Sequence, residues 1–408
     1  MEILYVLLIL LVITRAFGEV SVRLGQPALV GELLAGIALG AVIRLSPDGF
    51  PVMHGIVDDE VFTAITDLGI FFLMLMAGLE MRPKELAEQS KGAMFIALGG
   101  LMIPLLAGFS IGWMFLPPSD VRLAQALFIG TALSITAVPV AAKVLMDLDQ
   151  LGSTAGKMII SAAIVDDILG LLLLAVLTAV IQTGEMPDAA GLLWLGGQIA
   201  LFLVIVTTIG RYVLPYLENA FKSSMSEEFE FSILLVVALG FAVLAEMLHM
   251  HFILGAFAAG LFFTKRTLPE AMYRAVKQRT SGITTGFLAP IFFASIGLHL
   301  DLAAFSNIPL FLAILIAVAI GCKLIGAGLP AYWVGLSARH SLVVGIGMSG
   351  RGAVELIIAD IALRAGLFSQ PTPAPAIVAN LFSAIVIMAV VTTLMTPIGL
   401  RLVLDRDG

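Results

Sequence analysis

The chain has 408 residues, 60% of them apolar and 12% charged, with a mean hydropathy of +1.07. No water-soluble globule covers that much apolar surface, so the composition specifies a polytopic membrane protein. The net charge of −7 is spread over short connections with no basic tract suited to nucleic acid, and the single Cys322 excludes an internal disulfide.

Met1 and Glu2 offer no positively charged leader, so the first apolar stretch reads as a retained helix. Apolar windows and turn residues then predict thirteen spans. They cover residues 3–22, 27–44, 61–79, 92–116, 123–145, 156–182, 190–214, 229–248, 250–264, 281–299, 308–335, 340–364 and 376–400. An odd count places the termini on opposite sides. With the N-terminus outside, seventeen of the 22 Lys and Arg residues fall in inner connections and three, Arg44, Arg122 and Arg364, in outer ones. The positive-inside rule therefore orients the chain N-out and C-in.

Odd topology also permits an inverted repeat, with segments 1–6 and 8–13 as its halves and segment 7 as a linker. Gly31, Ala35 and Gly36 in segment two match Gly255, Ala259 and Gly260 in segment nine. Ile70 to Phe72 before Gly78 in segment three match Ile291 to Phe293 before Gly297 in segment ten.

The sixth segment carries the feature around which the rest is organised. Asp166 and Asp167 stand side by side about eleven residues into it, about 16 Å along a helix and hence near the membrane midplane. An ionised carboxylate at that depth costs several kcal/mol unless it is paired, hydrated or protonated, so the pair reads as an ion or proton site.

Transporters built from repeats place such sites where helices break. In segment five, Pro139 frees carbonyls near Ile135, and Ser134 and Thr136 add hydroxyls. In segment twelve, Gly345, Gly347, Gly350 and Gly352 make a continuous helix costly. Lys323 lies about fifteen residues into segment eleven, too deep to snorkel, and calls for a carboxylate partner, Asp166 or Asp167. Arg351 and Glu355, four apart, are expected to satisfy each other on one helix face, as are Asp360 and Arg364. Glu32 is placed at a cytoplasmic funnel or among headgroups; Asp147, Asp149, His249 and His251 read as loop surface. Met74, Met76, Phe71 and Phe72 read as core, and Cys322 as packing.

These residues resemble the cation:proton antiporter superfamily, and within it the electrogenic bacterial Na⁺/H⁺ antiporters of the NapA type. The paired aspartates followed by Ile168, Leu169 and Gly170 carry the resemblance, together with the downstream Lys323. Gln26-Pro27 leading to Gly31-Glu32, Phe72 to Glu80, Thr131 to Thr136, Ala289 to Phe293 and Arg351-Gly352 fall in family order. The resemblance implies an all-α fold of two inverted six-helix repeats with crossed discontinuous helices, forming a homodimer. It implies a dimerisation domain of residues 1–80 and 228–300, an ion-transport core of 92–182 and 308–404, and a linker helix over 190–214. It further implies Asp167 as the principal ion-binding and proton-carrying carboxylate and Asp166 as the partner of Lys323. Thr136 is implied near the ion, with Ser134, Arg351 and Glu355 in support. The chain departs from the pattern at Pro139, where the family carries a small residue, and in the Arg351–Glu355 spacing. Both bear on the ion shell and on Na⁺ against K⁺.

The expected function is exchange of Na⁺ or Li⁺ for H⁺ by alternating access, electrogenic, in a bacterial inner membrane, with membrane lipids as surroundings and no cofactor. A K⁺/H⁺ antiporter of the same superfamily is the first alternative. A sodium-coupled organic-anion symporter and a non-transporting sensor or channel are the others. An enzyme is not expected, because no metal cluster or nucleophile–base pair stands out.

Overall fold

The computed structural model describes residues 2–45, 56, 59–80, 91–136, 145, 150, 152–184, 189–213, 227–248, 250–263 and 270–404. Among them every regular element is helical. In chain order, the α-helices of ten residues or more are α1 (Glu2–Arg23), α2 (Ala28–Leu45), α3 (Glu60–Glu80), α4 (Lys91–Phe115) and α5 (Arg122–Ser134). There follow α6 (Thr154–Thr183), α7 (Ala189–Thr208), α8 (Glu227–Met247), α9 (Phe252–Phe262), α10 (Glu270–Ile283) and α11 (Ala289–His299). The last four are α12 (Pro309–Trp333), α13 (Ala338–Gly347), α14 (Ala353–Arg364) and α15 (Leu381–Leu404).

Eight helical stretches among the described residues are long and apolar enough to cross a membrane, and shorter apolar helices cover 196–212, 231–247 and 252–262. The connection expected before segment ten is itself helical: α10 runs through a π-helical turn, Thr284–Leu288, into α11. Its Tyr273, Val276, Thr280 and Thr284 are buried, while Arg274 and Gln278 are exposed. Buried residues recurring every three to four positions give this stretch the helical stripe that its polar composition obscured.

The chain divides into two compact units. One contains Met1–Val57, Glu85–Glu185 and Phe293–Gly408; the other contains Asp58–Lys84 and Met186–Phe292. The first has a core of small and branched side chains. Ile96 and Ala97 of α4, Ile159, Ala162 and Ala163 of α6, Ala327 and Ala331 of α12, and Val343 and Val344 of α13 form it. Small residues there bring backbones close, which is how helices pack where lipid supplies no hydrophobic drive. A Cβ at Gly99 of α4 would fall inside contact distance of the Gly326 carbonyl oxygen in α12, and a Cβ at Gly326 would strike Gly99. Large apolar side chains instead face outward, among them Leu4, Leu8, Leu106, Met114, Leu310, Trp333 and Leu402.

The two units repeat one packing device. In the first, Gly31 of α2 lies against Phe17 of α1, and Gly36 and Gly297 seat α2 on α11. In the second, Gly255 of α9 lies against Phe241 of α8, and Gly260 and Gly78 seat α9 on α3. Also in the second unit, Phe71, Phe72 and Met74 are buried, Lys277 meets Glu80 at 3.3 Å, and the Tyr273 hydroxyl donates to the Leu79 carbonyl.

Candidate functional site: a broken-helix crossing in the first unit

Two helices stop inside the first unit, and the site is built on their ends. α5 ends at Ser134, and Ile135 turns extended at φ −75°, ψ 143°. The expected break therefore begins at Ile135; Pro139, together with Asp147, Asp149 and His249, lies outside the described residues. α13 continues helically through Gly345 and Gly347, and the interruption spans residues 348–352 before α14 begins. The hydroxyl of Thr136 donates to the Met348 carbonyl at 3.1 Å, joining one break to the other.

A helix that stops leaves its last carbonyls without partners and puts partial negative charge at that end. Buried cations answer both demands at α5. Lys323, in the fifteenth position of α12, donates from Nζ to the Ser134 carbonyl and to Thr136 Oγ1, the latter at 2.7 Å. Arg351 donates from Nη1 to the carbonyls of Ala132 (2.9 Å) and Ile135, and from Nη2 to that of Leu133 (2.7 Å). Ser134 thus meets the cation through its backbone; its hydroxyl donates to Thr131 O at 2.8 Å.

Each cation also faces a carboxylate, at a looser distance. Lys323 Nζ lies 3.7 Å from Asp166 Oδ2, with both side chains fully buried. Arg351 Nε lies 3.6 Å from Glu355 Oε2, both again buried. Among the described residues, neither carboxylate has a hydrogen-bond partner on either oxygen. Glu355 occupies the first turn of α14, where the helix dipole favours negative charge. Arg351 itself is outside that helix, in the interruption, so the expected pairing along one helix face is instead a pairing across the start of α14. The non-helical backbone there turns the guanidinium toward α5, and the hydroxyl of Thr393 in α15 donates to the Arg351 carbonyl at 3.1 Å.

Asp166 and Asp167 sit near the middle of α6. Ser153 caps its start by accepting from Gly156 N, and Gly184 ends it at φ +76°. Successive helical residues point about 100° apart, so the two carboxylates leave α6 in different directions. Asp166 is buried against Lys323, and Asp167 is half-buried. The crossing therefore brings together Ser134, Thr136, Asp166, Lys323, Arg351 and Glu355, with Asp167 beside them on α6. No group of three or more His, Cys, Asp or Glu side chains placed to hold a metal ion occurs among the described residues.

Two further buried carboxylates have a cation nearby. Buried Glu32 lies 3.7 Å from the exposed Arg15, and Asp360 meets Arg364 at 2.6 Å. Cys322 is half-buried on α12. A contribution that residue types did not reveal is Gln125, whose amide donates to the carbonyls of Leu367 and Gln370 at 2.8 Å and holds the chain after α14 against α5.

Comparison with known proteins places the chain in a family. The chain is 30% identical over 396 residues to the Na⁺/H⁺-K⁺ antiporter GerN of Bacillus cereus, covering 97% of this chain and 95% of that one. It is 31% identical over 401 residues to a Na⁺/H⁺ antiporter of Enterococcus hirae, covering 98% of each. The solved structure of the sodium proton antiporter MjNhaP1 from Methanocaldococcus jannaschii superposes with a TM-score of 0.73 over the whole of both chains, at 17% identity. That likeness is one of fold. A family model described as the transmembrane region of sodium/hydrogen exchangers matches residues 6–406, and the chain belongs to that family of multi-pass membrane antiporters.

Proposed function

We propose that this protein exchanges Na⁺ or Li⁺ for H⁺ through one site built on Asp166, Asp167 and the end of α5. The observation that carries the reading is a charge imbalance. Among the described residues at the crossing, two buried cations, Lys323 and Arg351, stand against three carboxylates: Asp166 and Glu355, which face them, and Asp167, next to Asp166 on α6. A site so far from water must neutralise the remaining negative charge, with either a proton or a monovalent cation but not both. Competition for one charge is the chemical basis of exchange.

The ligands suit a hard cation. Nζ of Lys323 sits among the Ser134 carbonyl, the Thr136 hydroxyl and the Asp166 carboxylate, an all-oxygen set that an alkali cation displacing the ammonium would inherit. Asp167, half-buried next to it, is the carboxylate we assign to carry ion and proton in alternation. A lysine displaced from its partner can release its own proton. Two protons then exchange for one Na⁺, and each cycle moves net charge, worth about 2.3 kcal/mol per charge at 100 mV. The mirrored glycine contacts of α1–α2–α11 and α8–α9–α3 support an inverted repeat with thirteen spans, N-out and C-in in a bacterial inner membrane. In that arrangement residues 1–80 and 228–300 form the dimerisation domain and 92–182 and 308–404 the moving core, with 190–214 as linker.

GerN carries K⁺ in its name, which favours K⁺/H⁺ exchange as the second reading. The test is dissipation of a pH gradient in proteoliposomes on adding Na⁺, Li⁺ or K⁺, with Asp167→Asn beside the native protein. Cation-dependent proton flux that the mutant loses is the expected result, and the ranking of cations separates the two readings. No flux with any cation, from folded protein, would overturn both.

A further inference from the structure

Four consecutive carbonyls at the end of α5, from Ala132 to Ile135, accept from the two buried cations, which divide them unequally. Arg351 takes Ala132, Leu133 and Ile135; Lys323 takes Ser134. Arg351 is fixed in that role from three sides. Its Nε faces Glu355 at 3.6 Å, its backbone carbonyl accepts from Thr393, and its planar fork spans the α5 end. A guanidinium does not give up its proton in a protein, so its hold on these carbonyls persists through the cycle, whereas an ammonium can be displaced or discharged.

We propose that Arg351 is a positioning residue that sets cation selectivity, by withholding three of these four carbonyls at the α5 end from the transported ion. The proposal rests on the exchange reading above. An ion replacing Lys323 Nζ finds one carbonyl (Ser134), one hydroxyl (Thr136) and carboxylate oxygens. Few ligands of strong field suit a small alkali cation; a larger set of weaker carbonyl dipoles suits K⁺. Releasing Ala132, Leu133 and Ile135 enlarges the set with weak-field oxygens and moves preference toward K⁺. Lysine at 351 retains the charge but lacks the fork that spans three carbonyls, so it separates donor geometry from charge. Glu355→Gln keeps the shape and slackens the tether on Nε.

The experiment measures KM for Na⁺ and for K⁺ in proteoliposomes of the full chain for the native protein, Arg351→Lys, Arg351→Gln and Glu355→Gln. The concentrations of each ion that raise Tm in detergent are measured in parallel. The expected result is a fall in the ratio KM(K⁺)/KM(Na⁺) of about tenfold in both Arg351 variants, equivalent to about 1.4 kcal/mol, and a smaller fall in Glu355→Gln. Folded variants that lose only maximal rate and keep the native ratio would overturn the proposal. Should neither Arg351 variant fold, an unchanged ratio in Glu355→Gln overturns it alone. Absence of exchange in the native protein would strike the exchange reading instead, and the Na⁺ and K⁺ dependence of Tm would still read the selectivity.

Discussion

The crossing contains two cation–carboxylate pairs that look alike and are built for opposite behaviour. Lys323 with Asp166 and Arg351 with Glu355 are both fully buried, both separated by more than 3.5 Å, and both anchored on the end of α5. They differ in the cation and in what lies next to the carboxylate. Arg351 is permanently charged, holds three carbonyls and faces one glutamate in a helix first turn that favours its charge. Lys323 holds one carbonyl and one hydroxyl, and its aspartate is followed by a second. The first pair closes a break; the second, on the proposed reading, leaves a charge to be satisfied from outside. On the proposed exchange reading, one protein uses the same electrostatics for a strut and for a switch, and the chemistry of the cation decides which.

The largest expected effect breaks the strut. Removing one partner of a buried ion pair costs about 3–5 kcal/mol. Arg351→Ala should exceed Lys323→Ala in the loss of Tm, because it orphans three carbonyls besides Glu355. The difference should persist at acid pH, since a carboxylate left alone can take up a proton and a carbonyl cannot. Equal losses for the two variants across pH 5 to 8 would erase the distinction.

Next comes charge movement. Lys323→Gln should leave cation-dependent proton flux measurable but remove one charge from each cycle, so that an imposed membrane potential no longer drives exchange. Arg351→Gln should leave the charge per cycle unchanged. Transient currents from adsorbed proteoliposomes distinguish these outcomes, and a Lys323→Gln current equal to the native one would show that the lysine is static.

A third prediction concerns pH. If one site binds either H⁺ or Na⁺, raising pH removes the competitor, and the apparent KM for Na⁺ should fall by roughly tenfold per unit on the acidic limb before levelling off. A KM independent of pH would mean separate sites.

The smallest effects sharpen the ligand assignment at α5. Ser134 offers its backbone to Lys323 while its hydroxyl bonds within the helix, so Ser134→Ala should cost about 1 kcal/mol or less and leave KM for Na⁺ near the native value. Thr136→Val removes a hydroxyl that accepts from Lys323 and donates to Met348, and should raise KM for Na⁺ by roughly tenfold, the worth of one hydrogen bond to a charged group. Equal effects for the two variants would reassign the ligand to the Ser134 side chain.

The sequence by itself determined the solvent and the all-helical class, and it marked the candidate chemistry. A run such as Leu171–Ile181 can satisfy its backbone in lipid only as a helix, so composition decides class and period together. Two adjacent carboxylates at mid-span, and a lysine too deep to snorkel, mark a candidate functional site because hydrocarbon penalises unpaired charge. Glycine runs announce that a helix is expensive, yet not where it stops: Gly345 and Gly347 remain helical, and the interruption falls at 348–352. Arg351 shows the limit most clearly. Its four-residue spacing to Glu355 is legible, but its main bonds go to carbonyls 216 to 219 residues away. Backbone carbonyls are the same at every position, so no residue type records which of them a broken helix will leave free. Only the tertiary structure, by bringing the end of α5 against α12 and the start of α14, decided which cation holds which oxygen.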